Sequence, residues 1–370
     1  MSDTVQGILA LRSRHEGVLR DPSRSFRPDA QDVRVPSRLI QAHRLPEGAE
    51  LRGPVRRTRR GAELQRVESI CGLSPEAFAG RTPLERLTAV SPTERFQLAQ
   101  SGDLSTRIVD LIAPIGRGAR VLIVSPPKAG KTMLLMSIAR ALRSADPAAR
   151  IIALLIDERP EEVTYFRRSA DVEVLASSKD HSPAEHVALT EITLGHVRAQ
   201  LECGRDVILL VDSLTRMARA FNVGTQSSGR TMSGGIEAGV LEVPRRLLGL
   251  ARQIEGGGSV TIVATVLVDT GSRMDELIFQ EFKGTGNSEI VLDRSLAEAR
   301  VFPAIDLLRS GTRREELLLE PDEAARVATL RRVLGGRRPL AAMRSLLKTL
   351  EPHPTNESFL ASIPLVRKST

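Results

Sequence analysis

From about residue 101 onward, continuous apolar runs alternate with mixed stretches. The runs are VLIVS (121–125), IIALLID (151–157), VILLVD (207–212) and VTIVATVLVD (260–269). Between them, MLLMSIARALRSA (133–145) repeats its apolar positions at helical spacing. A strand with no polar alternation is buried on both faces, and such strands alternating with helices predict a parallel sheet in an α/β domain. Residues 5–70 read differently. Short strand-like pieces (VQGILAL, EGVLR, DVRVP, AELRGPV, AELQRVESI) are punctuated by Pro22, Pro28, Pro36, Pro46 and Pro54, which predicts a small all-β barrel or sandwich. Residues 71–100, rich in Pro, Ser and Thr, read as a linker with short helical turns.

Composition changes little in this picture. A hydrophobic share of 41% and a charged share of 26% suit a globular protein with a sizeable core. No apolar run reaches the roughly 18 residues that would span a bilayer. The start, MSDTVQGILALRSR, lacks a signal-peptide pattern, and the two cysteines, Cys71 and Cys203, lie far apart in sequence. A reducing cytoplasm is the expected location, with no disulfide framework and no membrane. Charge adds more. The chain carries a net +8, and residues 1–70 hold fourteen arginines, no lysine and nine acidic residues. A basic N-terminal module suits a polyanionic partner, with nucleic acid first.

The candidate chemistry begins at SPPKAGKTMLL (125–135). Its strand, tight loop and helix match a phosphate cradle, except that Ser125 stands where the usual G-x-x-x-x-G-K-[ST] pattern has glycine. Gly130 lets the backbone close on phosphate, Lys131 reaches the β- and γ-phosphates, and the Thr132 hydroxyl suits Mg²⁺. Asp212 ends VILLVD, the place of a Walker B carboxylate. Asp157 and Glu158 end IIALLI, and a carboxylate there suits activation of the attacking water. Each feature alone has a plainer reading as a helix start, a strand-ending turn or a surface charge run. Together they predict a Mg-nucleotide site in an α/β P-loop fold. His181 and His186 flank Pro183 and suggest structural or surface roles. KGTGN (283–287) reads as a turn.

The longer segments PPKAGKTMLL, LLIDERPEEVT, VDSLTRMARAFN, TGSRMDELIFQEFKGTGNSEI and ARVFPAIDLLRSGTRREELLL resemble, in order and spacing, the transcription termination factor Rho family. The resemblance covers roughly residues 101–370, with a weaker match back to about residue 5. It implies a RecA-like ATPase domain behind an OB/cold-shock-like barrel, assembled as a homohexamer. It further implies ATP and Mg²⁺ as cofactors, with RNA and the RNA polymerase elongation complex as partners. The matching positions imply that Pro127, Lys128, Ala129, Gly130, Lys131, Thr132 and Met133 hold the phosphates and that Phe302 stacks on adenine. In the same way, Thr132 and Asp212 hold the metal, Glu158 activates water, Arg216 senses the γ-phosphate and Arg313 is the finger given to a neighbouring subunit. Arg230 and Ser233 in one pore loop, Arg273 in a second, and Arg20 in the barrel would face RNA.

The implied activity is ATP-driven RNA translocation and RNA–DNA unwinding. A non-translocating regulator, or a rotary or protein-translocating ATPase, is the alternative. One departure bears on this. Where the family's barrel carries an aromatic GFGFLR motif, this chain has HEGVLR (15–20), with Glu16 and Val18 in place of both aromatics. Base–aromatic stacking contributes about 1–3 kcal/mol per base, so RNA capture by this barrel should be weak and driven by arginine–phosphate attraction.

Overall fold

The N-terminal strands close into a ring. The computed structural model describes residues 4–13, 16–58, 61–224, 236 and 239–364. Strands β1 (Thr4–Ser13), β2 (Glu16–Arg20), β3 (Val33–Pro36), β4 (Glu50–Thr58), β5 (Gly61–Leu64) and β6 (Ser69–Ile70) form one sheet. Its order is β1-β2-β3-β5-β4-β6, and an added β1–β4 pairing closes five of the strands into an OB-like barrel. Alternation sets the interior: Leu9, Leu19, Val35, Leu51, Leu64 and Ile70 point inward and are buried together. A short helix, α1 (Ser37–His43), joins β3 to β4. No strand pattern had announced it.

The 71–100 segment, expected as a linker, is fastened at both ends. Helix α2 (Pro75–Ala79), capped by Ser74, buries Phe78 completely in the barrel's core. Strand β7 (Ala89–Val90) then joins the second sheet, and Phe96 and Leu98 enter the larger domain's core. These contacts come from apolar residues spaced too far apart to register as a periodic pattern.

The larger domain holds β8 (Arg120–Ser125), β9 (Arg150–Glu158), β10 (Glu173–Ser178), β11 (Val207–Asp212), β12 (Arg252–Ile254), β13 (Ser259–Leu267), β14 (Ser288–Val291) and β15 (Gly311–Thr312). The order β10-β9-β11-β13-β8-β14 is parallel throughout, and β15 and β12 add antiparallel edges. Odd and even positions of each strand feed different cores. Val121, Ile123, Ile151, Ala153 and Leu155 face one side, while Leu122, Val124, Ile152, Leu154 and Ile156 face the other. Burial on both faces is why these runs carry no polar alternation.

Helices cover both faces: α3 (Leu104–Ile112), α4 (Lys131–Ala145), α5 (Pro160–Ser169), α6 (Pro183–Glu202), α7 (Leu214–Gly224), α8 (Glu242–Gly249) and α9 (Arg273–Phe282). Beyond them, α10 (Arg294–Glu298), α11 (Pro321–Leu334), α12 (Pro339–Leu350) and α13 (Asn356–Ala361) complete the C-terminal part.

The barrel rests on α6. A side chain at Gly48 would place its Cβ 2.0 Å from the His196 backbone nitrogen, so only glycine permits this approach. His196 Nδ1 meets the Gly48 carbonyl at 2.9 Å, and Glu50 accepts from Arg150 at 2.6 Å and from Gln200 at 2.9 Å.

Candidate functional site

Parallel strands deliver their carboxyl ends to one edge of the sheet, where ligands of open α/β sheets bind. Here β8 ends at Ser125, β9 at Glu158 and β11 at Asp212. Ser125 is fully buried, and its hydroxyl donates to the Pro126 carbonyl at 2.8 Å. The strand exit therefore has room for a small polar side chain where the usual pattern has glycine. Two residues of the loop take left-handed conformations, Lys128 (φ 64°) and Gly130 (φ 86°), and Gly130 opens α4. The N-terminus of α4 then points its free N–H groups and positive dipole end at the loop, as an anion site requires.

The side chains converge. Lys131 Nζ contacts Asp212 Oδ1 and lies 3.8 Å from Glu158 Oε1. Arg216, in the first turn of α7, reaches the same Glu158 oxygen at 3.3 Å. Thr265 on β13 donates to Asp212 Oδ1 at 2.9 Å. Glu158 is 2% exposed, and burial, followed by the neighbouring Asp212 charge, pushes its carboxyl above the usual range against the pull of Lys131 and Arg216. A carboxylate so placed suits proton acceptance from water.

Magnesium fits this donor set. Asp212 Oδ2 is buried and has no hydrogen-bond partner among the described residues, and the Thr132 hydroxyl lies on the same loop-to-helix junction. Thr132 Oγ1 donates to Glu162 Oε2 at 2.9 Å, a contact that the acidic run 157–162 had not singled out. Glu162 lies within the first turn of α5, which brings it back over the cradle.

The exposed ring of Phe302 packs against the loop, its Cε1 lying 3.4 Å from where a Cβ on Gly130 would sit. Pro127, Lys128 and Met133 are exposed beside it, Ala129 is buried, and Tyr165 Oη approaches Met133 Sδ at 3.6 Å.

Arg313 is not part of this cluster. It follows β15, and its N–H donates to the Asn287 carbonyl at 2.7 Å, just before β14. Register pairs Ser288 with Val121, at the start of β8, and Val291 with Val124 near its end. Arg313 therefore lies at the amino edge of the sheet and the cradle at its carboxyl edge. The intervening strand spans about 15–20 Å at ~3.3 Å per residue.

The RNA candidates are scattered. Arg273 is exposed at the start of α9, behind the Ser272 cap. Arg20 is half-buried, paired with Asp32, and lines a cleft between the barrel and α6 with Arg12, Glu47, Arg81 and Arg198. Arg230 and Ser233 lie outside the described residues. Glu16 on β2 pairs with Arg34 at 3.3 Å, and Val18 is 1% exposed, so neither offers a flat stacking face.

His186 is buried and hydrogen-bonded to Ser177, and His181 bonds to Ser178. The segment 283–287 is a turn after α9. Among the described residues no helix is long and apolar enough to cross a membrane.

Known proteins share this architecture. The family model for the nucleotide-binding domain of the ATP synthase alpha/beta family matches residues 105–312. A transcription termination factor Rho from Aquifex aeolicus is 47% identical over 367 residues, covering 97% of this chain and 84% of that protein. The Rho of Pseudomonas aeruginosa is 43% identical and covers 96% of this chain and 87% of its own length. The chain spans only 49% of the longer Streptomyces lividans Rho, at 45% identity. Among solved structures, a prototypical ATPase of the type III secretion system superposes with a TM-score of 0.62 at 23% identity. That match covers 76% of this chain and 87% of the other, and it shows the fold alone.

Proposed function

The chain belongs to the transcription termination factor Rho family, and from that premise we propose an RNA-stimulated ATPase that translocates on RNA, unwinds RNA–DNA duplexes and releases transcripts from the RNA polymerase elongation complex. It works in the cytoplasm as a ring of six copies. The observation that carries this reading is the separation of Arg313 from its own cradle, which leaves this arginine free to serve as the finger of a second subunit's site.

The geometry supports the following roles. Lys131 is neutralised by Asp212 and Glu158. An entering triphosphate competes for that ammonium and is held by the N–H groups around Gly130. Thr132 and Asp212 would hold Mg²⁺, which when bound neutralises charge on the phosphoryl oxygens. Glu158 orients the attacking water and takes its proton, and Arg216 fixes the carboxylate that does so. Phe302 offers an apolar face beside the loop for the base. The neighbour's Arg313 stabilises charge that develops on the transferred phosphoryl group. RNA in the channel meets Arg273, and the family resemblance gives the same role to Arg230 and Ser233, which lie outside the described residues.

Glu16, Arg34 and Val18 favour one refinement. The barrel captures RNA weakly, through arginine–phosphate attraction that includes Arg20, and loading falls mainly to the channel. Hydrolysis of ATP measured with and without RNA, alongside duplex unwinding and a Lys131→Ala control, tests the proposal. Turnover that RNA stimulates and the variant abolishes is expected. Turnover indifferent to RNA contradicts it and favours a non-translocating or rotary-type ATPase.

A further inference from the structure

The chain's two cysteines, remote in sequence, meet in space. Cys71 directly follows β6 at the end of the barrel, and Cys203 ends α6 in the larger domain. Cys71 is 2% exposed within the barrel's core, and half-buried Cys203 packs against that same cluster beside Ala199. Both side chains thus belong to one apolar cluster where the barrel meets α6.

Both backbones are pinned. Cys71 adopts φ 49° and donates its N–H to the Glu50 carbonyl at 2.8 Å. The Cys203 N–H is shared between the carbonyls of Gln200 at 3.1 Å and Ala199 at 3.2 Å.

Two guanidinium groups flank the pair. Arg81 lies 3.8 Å over the Phe78 ring and bonds Glu202 at 3.1 Å. Arg205 Nη2 comes within 2.9 Å of where a Cβ on Gly72 would project. Contact with Cys71, then the charges of Arg81 and Arg205, hold the Cys203 thiol below its ordinary range against burial and Glu202. The same contact, with burial, pushes Cys71 up. The two sulfurs thus have different roles: Cys203 is the more accessible one, open to an oxidant from solvent, and Cys71 is buried behind it.

We infer that Cys71 and Cys203 form a peroxide-responsive dithiol that closes into a disulfide fastening the barrel to α6. The Cys203 thiolate attacks one oxygen of hydrogen peroxide, the O–O bond breaks, and the other oxygen leaves as hydroxide, which is protonated to water. The Cys71 sulfur then attacks the Cys203 sulfenic acid, the S–O bond breaks, and the second oxygen leaves as water with the Cys71 proton. Two thiols are oxidised to one disulfide, and one peroxide is reduced to two waters. The bridge forms within a contact the domains already make. This inference rests on the domain contact alone and stands apart from the ATPase reading.

The test treats the reduced full-length protein with hydrogen peroxide, denatures it, and blocks free thiols with maleimide before mass spectrometry. A monomer lighter by two hydrogen atoms, carrying no maleimide, and a proteolytic fragment joining Cys71 to Cys203 are expected, with dithiothreitol restoring both labels. In Cys71→Ala the sulfenic acid on Cys203 persists and is trapped by dimedone, whereas Cys203→Ala leaves Cys71 fully labelled. Wild-type protein that takes up two maleimides after peroxide, or gains oxygen at either sulfur without bridging, overturns the inference.

Discussion

The Lys131 ammonium contacts Asp212 and lies 3.8 Å from Glu158, so a single flexible cation neutralises two buried acids at the ends of different strands. This links the phosphate loop to both carboxylates. Replacing Lys131 with alanine leaves Glu158 and Asp212 facing each other with Arg216 as the remaining cation on Glu158. ATP turnover should fall by a factor of about 100 or more, the scale for losing one preorganised electrostatic partner. A coupled phosphate-release assay measures it.

The pH profile follows from Glu158. Burial and the Asp212 charge raise its pKa, and the working form is the deprotonated carboxylate. Activity is therefore present above the raised pKa and lost as pH falls through it, at a higher pH than the ~4.3 of a free glutamate. Glu158→Gln should remove that acid limb and cut kcat about 10²–10⁴-fold. Nucleotide binding, measured by a fluorescent analogue, should survive. A profile with the same acid limb in the variant would assign the titration to another group.

In the barrel, Glu16 is close to half exposed and paired with Arg34. Glu16→Phe removes a carboxylate and supplies one ring. Stacking of about 1–3 kcal/mol corresponds to a ~5–150-fold gain in affinity for poly(C), read by anisotropy at fixed salt. An unchanged affinity would take β2 off the RNA path.

Arg273→Ala should bring RNA-stimulated turnover down to the basal rate while leaving RNA-independent turnover unchanged. Arg273 is exposed at the start of α9 and is absent from the cluster around Lys131. A fall in both rates would place this arginine in the hydrolytic machinery.

The parallel sheet was legible because its strands are buried on both faces, which removes polar alternation and leaves uninterrupted apolar runs. The cradle was legible because phosphate binding demands Gly-Lys-Thr at a strand-to-helix turn. Three features were not. Helix α1 buries only Leu39 and Ile40 among its residues, too little to set a period. The Thr132–Glu162 bond depends on the angle at which α5 leaves β9, which residue spacing does not encode. The meeting of Cys71 with Cys203 comes from docking the barrel on α6, where Gly48 permits a backbone approach that no local pattern reveals. Arg313 was readable only through the family resemblance, since an exposed arginine after a short strand has no signature of its own.

The central claim is that each active site is shared between two subunits, and mixing two inactive variants tests it most directly. Arg313→Ala lacks the finger and Glu158→Gln lacks the base. Each alone should be depressed, Arg313→Ala by about 10³–10⁵-fold if it acts as a finger. When the two are dissociated, mixed and reassembled, some interfaces pair an intact Glu158 with an intact Arg313. RNA-stimulated ATP hydrolysis should then rise well above either parent. A mixture no more active than its parents, or an Arg313→Ala ring that turns over at the wild-type rate, would contradict the shared site.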